Sequence, residues 1–367
     1  MLNYIAVGFS EIASPVTILL IAGGVLLGIV FGSIPGLSAT MAIALCLPMT
    51  YGMLPINGMA LLIGLYIGGI SGGLVAAILL RIPGTPSSVA TCFDGYPLAA
   101  KGQAGKALGV GIFFSFLGTI FGVAVLMLVA PSLARVALKF SFYEYFAVGV
   151  FSLTMMASLI SGSIVKGLAS GAIGMLFAMV GAAPIDGLPR LTFGFHALDG
   201  GFDILPVLIG MFAISEIIKS ARERNAAKMT VLQDFKIKGF GFTFAEFRSQ
   251  IFNFFRSAVI GTFIGILPGI GGGTSNILAY TAAKNGSKYP EKFGTGIIDG
   301  IVASETANNA TIGGALVPLL FDTQTELVYG VFVICLVANL MMLVIEYGGI
   351  QIVIPNVFGS QVIKPGT

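Results

Sequence analysis

Long apolar runs recur from one end of the chain to the other. Taking about 20 mostly apolar residues as a membrane crossing, and fewer for a broken or re-entrant segment, the pattern predicts spans or half-spans at 16–33, 37–50, 57–80, 107–130, 142–160, 164–182 and 202–219. After a polar gap come 257–271, 273–283, 296–320 and 327–347. The predicted fold class is an all-α polytopic membrane protein of roughly 9–11 spans or half-spans. Pro and Gly interrupt several of these runs, at Pro35–Gly36, Pro83–Gly84 and Pro268–Gly269. A proline removes a backbone donor and clashes with the preceding turn, and the glycine after it tolerates unusual angles.

The breaks repeat. Gly28, Gly32 and Gly36 are spaced by four, with Pro35 before the last; Gly261, Gly265 and Gly269 repeat this with Pro268, at an offset of 233 residues. This predicts two internally repeated halves with Pro-Gly-broken helices, a common plan among secondary transporters. Residues 1–220 are read as the first membrane half, with repeat 1 over about 16–130. Residues 221–247 form a cytoplasmic loop and interfacial segment, and 248–367 a second, incomplete half. The stretch FGFTFAEFRSQIFNFFRS fits either an amphipathic helix lying in the interface or an extension of the next span. Lys and Arg concentrate in three connections, around Lys101–Lys106, Lys219–Lys238 and Lys284–Lys292, which places these loops in the cytoplasm. The loop with Asp186, Asp199 and Asp203 then falls outside. The N-terminus lacks a basic region, short apolar core and small-residue cleavage site, so no cleavable signal peptide is expected.

Composition sharpens this picture. The chain is 56% hydrophobic and 10% charged, with a net charge of +3, which argues for the lipid bilayer as its surroundings and against a nucleic-acid partner. Cys46, Cys92 and Cys335 show no metal-ligand spacing, and His196 is the only histidine. No metal centre, cofactor or catalytic group emerges, so an enzyme is not expected. In hydrocarbon, a break leaves N–H and C=O groups unsatisfied unless protein, water or a ligand meets them. Half-helix N-termini suit a carboxylate, and half-helix C-termini and free carbonyls suit a cation. The candidate substrate-binding residues are therefore Pro35, Gly36, Pro83, Gly84, Thr85, Ser87, Pro268, Gly269, Thr274, Ser275 and Asn276. The candidate ion-coupling residues, for sodium or a proton, are Asp94, Glu305, Asn308 and Asn309. Asp94 fits a cation ligand or a cap for the turn before Gly95, and Glu305 a cation ligand, a proton carrier or a surface cap.

Three stretches carry a family resemblance: GSIPGLSATMAIALCLP, GGISGGLVAAILLRIPGTPSSVATCFDGYPLAAKGQAGKALG, and GTFIGILPGIGGGTSNILAYTAAKNGSKYPEKFGTGIIDGIVASETANNATIGGALVPLL. They resemble the large membrane subunit of tripartite tricarboxylate transporters, the TctA type. The resemblance implies a multi-pass permease of the bacterial inner membrane that imports citrate or a related organic acid by ion-coupled symport. It implies two partners, a periplasmic solute-binding protein and a small membrane subunit. Relative to the family pattern, about one span is missing after residue 320 and the C-terminus stops early. A member unable to transport, or an accessory membrane protein, is the alternative expectation.

Overall fold

The computed structural model describes residues 8–9, 12–34, 37–137, 141, 143, 146–147, 150, 164–183, 187–202, 241–266, 271–316 and 325–353. The chain divides into two units, Met1–Arg135 with Glu223–Thr367, and Val136–Arg222. In the first unit the helices are α1 (Pro15–Ser33), α2 (Ala39–Thr50), α3 (Pro55–Leu80), α4 (Thr91–Leu98) and α5 (Ala104–Ala137). The predicted spans at 142–160 and 202–219 lie outside the described residues, apart from isolated positions. The second unit contains α6 (Ile164–Ala178), shorter than the expected 164–182 span. A two-stranded hairpin, β1 (Gly181–Ala182) and β2 (Pro189–Arg190), follows it. The first unit continues with α7 (Phe244–Ile266), α8 (Gly271–Asn285), α9 (Ile298–Ala315) and α10 (Thr325–Val353).

Among the described residues, four helical stretches are long and apolar enough to cross a membrane: Pro15–Ser33, Pro55–Leu80, Thr91–Val129 and Leu327–Gly349. The distribution of side chains is that of a protein dissolved in lipid. Large apolar residues are exposed in helical stripes, such as Leu19, Leu26 and Val30 on α1 and Phe252, Phe255, Val259 and Phe263 on α7. Polar residues lie inside instead, among them Ser71, Ser115, Asn309, Asn339 and Glu346. On α9 every residue from Gly300 to Gly314 is buried, although the helix carries Ser304, Glu305, Thr306, Asn308, Asn309 and Thr311. Such a helix has no favourable place against hydrocarbon and takes the centre of the bundle.

The sequence repeat is also a repeat of packing. A Cβ on Gly28 would meet the backbone of Leu65 and Gly69, and one on Gly32 the backbone of Gly69 and Gly73. In the second half, Gly261 abuts the backbone of Ala307, and Gly265 that of Thr311 and Gly314. In both halves the first helix of the repeat packs backbone to backbone on the third, as small residues permit. The first helices match at an offset of 233, but Leu65 and Gly69 correspond to Ala307 and Thr311, at 242. The second half therefore has nine more residues between these helices, in the loop of residues 286–297 that precedes α9. The segment read as interfacial helix or span extension is one continuous helix, α7. It opens on a capping box: the Thr243 backbone N–H donates to Glu246 Oε2 at 2.8 Å, and the Glu246 N–H to Thr243 Oγ1 at 3.2 Å.

Candidate functional site

The break after α3 starts at Arg81, whose backbone is left-handed at φ 59. It runs through Ile82, Pro83 and Gly84 into a 3₁₀ turn at Pro86–Ser88. The turn is tied locally: the Ser88 hydroxyl donates to the Thr85 carbonyl at 2.9 Å, and the Thr85 N–H donates to Ser88 Oγ at 3.2 Å. This folds Thr85 and Ser88 onto Gly73 of α3, and a Cβ on Gly84 would collide with the Gly32 carbonyl at the end of α1.

The described segments flanking the breaks converge. Pro35, Gly36, Pro268 and Gly269 lie outside the described residues, but the residues flanking them do not. Gly32, ahead of the first break, meets the second at Gly84. Gly272, which follows the third, faces Ser87 and Asn308: a Cβ there would stand 3.0 Å from Ser87 Oγ and collide with Asn308 Oδ1. A Cβ on Gly273 would lie 3.2 Å from the Pro86 carbonyl.

From this junction the α4 segment, α8 and α9 meet at three levels, about one helical turn apart. At the first, Asp94 is fully buried and accepts from the N–H groups of Gly294 (2.9 Å), Gly296 (2.8 Å) and Ile297 (3.1 Å) through Oδ1. Its Oδ2 accepts from the Tyr280 hydroxyl at 2.9 Å. Asp94 of the first repeat thus holds the lengthened loop of the second. At the next level, Asn276 Oδ1 accepts from the Ala90 N–H at 2.8 Å, and the Thr91 hydroxyl donates to Glu305. Ser115 of α5 donates to the other Glu305 oxygen at 2.9 Å, and Asn309 Nδ2 donates to Ser115 Oγ at 2.9 Å. At the third level stand Ser87, Gly272 and Asn308. Nearby, the Ser275 and Thr311 hydroxyls meet at 2.8 Å.

Asn308 differs from its neighbours. It is fully buried, it stands beside the Glu305 carboxyl without hydrogen-bond geometry to it, and among the described residues neither its Oδ1 nor its Nδ2 has a hydrogen-bond partner. Leaving a buried polar atom unpaired costs about 1–3 kcal/mol. Thr274 is not part of the assembly; it is exposed with Ile277 and Leu278 on another face of α8. Beside the junction opens a cavity of about 570 Å³, whose lining includes Arg81, Pro83, Phe93, Tyr280 and Lys284. Among the described residues no group of three or more His, Cys, Asp or Glu side chains is placed to hold a metal ion.

Two contributors escape the sequence reading. Gly272 is defined by contacts from distant segments and has no local signal. Glu346 has one: it is a single acid in the apolar run LMMLVIEYGG. It is 2% exposed, and Ser71 donates to its Oε2 at 2.6 Å.

The profile of the tripartite tricarboxylate transporter TctA family matches residues 18–321. An Agrobacterium vitis protein, described as an uncharacterized 52.8 kDa protein in the TAR-I ttuC' 3' region, is 36% identical over 320 residues, covering 87% of this chain and 63% of that protein. A second Agrobacterium vitis protein, described as an uncharacterized protein in the TAR-II ttuC' 3' region, is 42% identical over 60 residues, covering 16% of this chain and 25% of its own. The match thus spans less than two thirds of the length of either relative. No solved structure matches.

Proposed function

The chain belongs to the tripartite tricarboxylate transporter TctA family, and from that premise we propose that it is the permease subunit of such a system, importing a tricarboxylate or related organic acid by ion-coupled secondary transport. The observation that carries this reading is the unpaired Asn308 side chain at the junction of the broken segments. Its Oδ1, without a partner, can accept from a cation, and its Nδ2, beside the Glu305 carboxyl, can turn to a substrate carboxylate. In this reading the Glu305, Ser115 and Asn309 network beside it holds the coupling ion, sodium or a proton, a role its buried oxygens support. Arg81 and Lys284, at the cavity next to the junction, favour approach of an anion. In this reading a solute-binding protein delivers the substrate in the periplasm, a small membrane subunit completes the complex, and the permease works in the inner membrane.

The test is uptake of labelled carboxylates by cells carrying the permease with both partner subunits. Asn308→Ala is expected to lower uptake about tenfold, the effect of roughly 1.4 kcal/mol of lost binding. Asn309→Ala is expected to disturb dependence on the ion gradient. Unchanged uptake and ion dependence in both variants would overturn the site, and no uptake by well-expressed wild type would favour a non-transporting member.

A further inference from the structure

The interior of α10 carries two polar side chains on one face, Asn339 and Glu346, two turns apart. Asn339 Nδ2 donates to the Phe116 carbonyl of α5 at 3.0 Å, and among the described residues its Oδ1 has no partner. Glu346 Oε2 accepts from Ser71 of α3, and among the same residues its Oε1 has none. The ion pairs among the described residues, Lys106–Glu246 and His196–Asp199, do not involve it. Among the described residues, the ionisable group close enough to act on it is another acid, Glu305. Of the other helices packed on α10, α1 has no ionisable side chain, and Tyr66 of α3 faces Cys335, three turns before Glu346.

A buried carboxylate without a counter-charge is costly inside a membrane protein, and a second carboxylate nearby adds repulsion. The described groups around Glu346 do not make a metal site, since a hard metal cation takes about six oxygen ligands. A proton needs only the carboxyl itself. Ser115–Glu305 joins α5 to α9, and Ser71–Glu346 joins α3 to α10. Each bond therefore links a helix of the first repeat to one of the second, across the seam that alternating access would rearrange.

We propose that Glu346, held by Ser71, binds a proton at neutral pH and exchanges it during the transport cycle, as a proton-coupling site separate from the Glu305 network. The carboxyl releases the proton as H⁺ to one side, leaves a carboxylate, and is reprotonated from the other. Exchange during transport rests on the function proposed above; proton binding does not.

Infrared difference spectra of the purified protein between neutral and alkaline pH test the binding. A protonated-carboxyl C=O band is expected in the wild type, lost in Glu346→Gln and shifted in Ser71→Ala. A spectrum that Glu346→Gln leaves unchanged would overturn the proposal. If that variant does not purify as a folded protein, Ser71→Ala decides, an unshifted band overturning it. In proteoliposomes, Glu346→Gln is expected to lose accumulation driven by a pH gradient while keeping substrate exchange at zero gradient. Accumulation equal to wild type would overturn the coupling. Absence of both activities in wild type would instead count against the transport function, and the infrared result would still decide proton binding.

Discussion

Asn308 stands where stability and function pull apart. Its two unpaired atoms are a cost to the fold, so Asn308→Ala is expected to leave the thermal midpoint unchanged or raise it while lowering uptake. A matched fall in both would mark a structural residue. Asp94 is the opposite case, with four donors on its carboxylate. Asp94→Ala is expected to destabilise by about 3 kcal/mol and Tyr280→Phe by about 1 kcal/mol, both measurable by denaturation in detergent. Glu305, Asn308 and Asn309 were legible in the sequence because polar residues cluster in an apolar region. The partners of Asp94 were not, because they lie some 200 positions away and are mostly backbone groups without a sequence signature.

At the scale of elements, α7 shows how a short signal sets a boundary. Thr243 and Glu246 have capping-box spacing, and the helix starts there rather than at the apolar stretch further on. Glu246 also pairs with Lys106 of α5, and this bond, followed by those from Thr243, holds its carboxyl below the usual carboxylate range. A lowered folded-state value means stability that is present above the unfolded carboxyl's value and lost as pH falls through the folded one. Wild type is therefore expected to melt above Glu246→Gln at neutral pH, with the difference vanishing in acid. A difference that is constant with pH would contradict this assignment. The glycine register of the repeat was visible in the sequence. The nine-residue offset in the second half was not, because it emerges only when helix contacts are compared.

At the scale of the molecule, an apolar exterior around a polar centre is what a lipid solvent demands, and composition alone pointed to it. What the sequence could not show is that the segments flanking the breaks meet, since that depends on parts of the chain brought together by folding. The most direct test of the central claim, that this junction lies on the path of a carboxylate, is thiol labelling of Ser87→Cys with Cys46, Cys92 and Cys335 replaced by serine. Labelling by a charged reagent is expected, and a transported carboxylate is expected to slow it. Labelling that no transported carboxylate affects, in a protein that still takes it up, would contradict the claim.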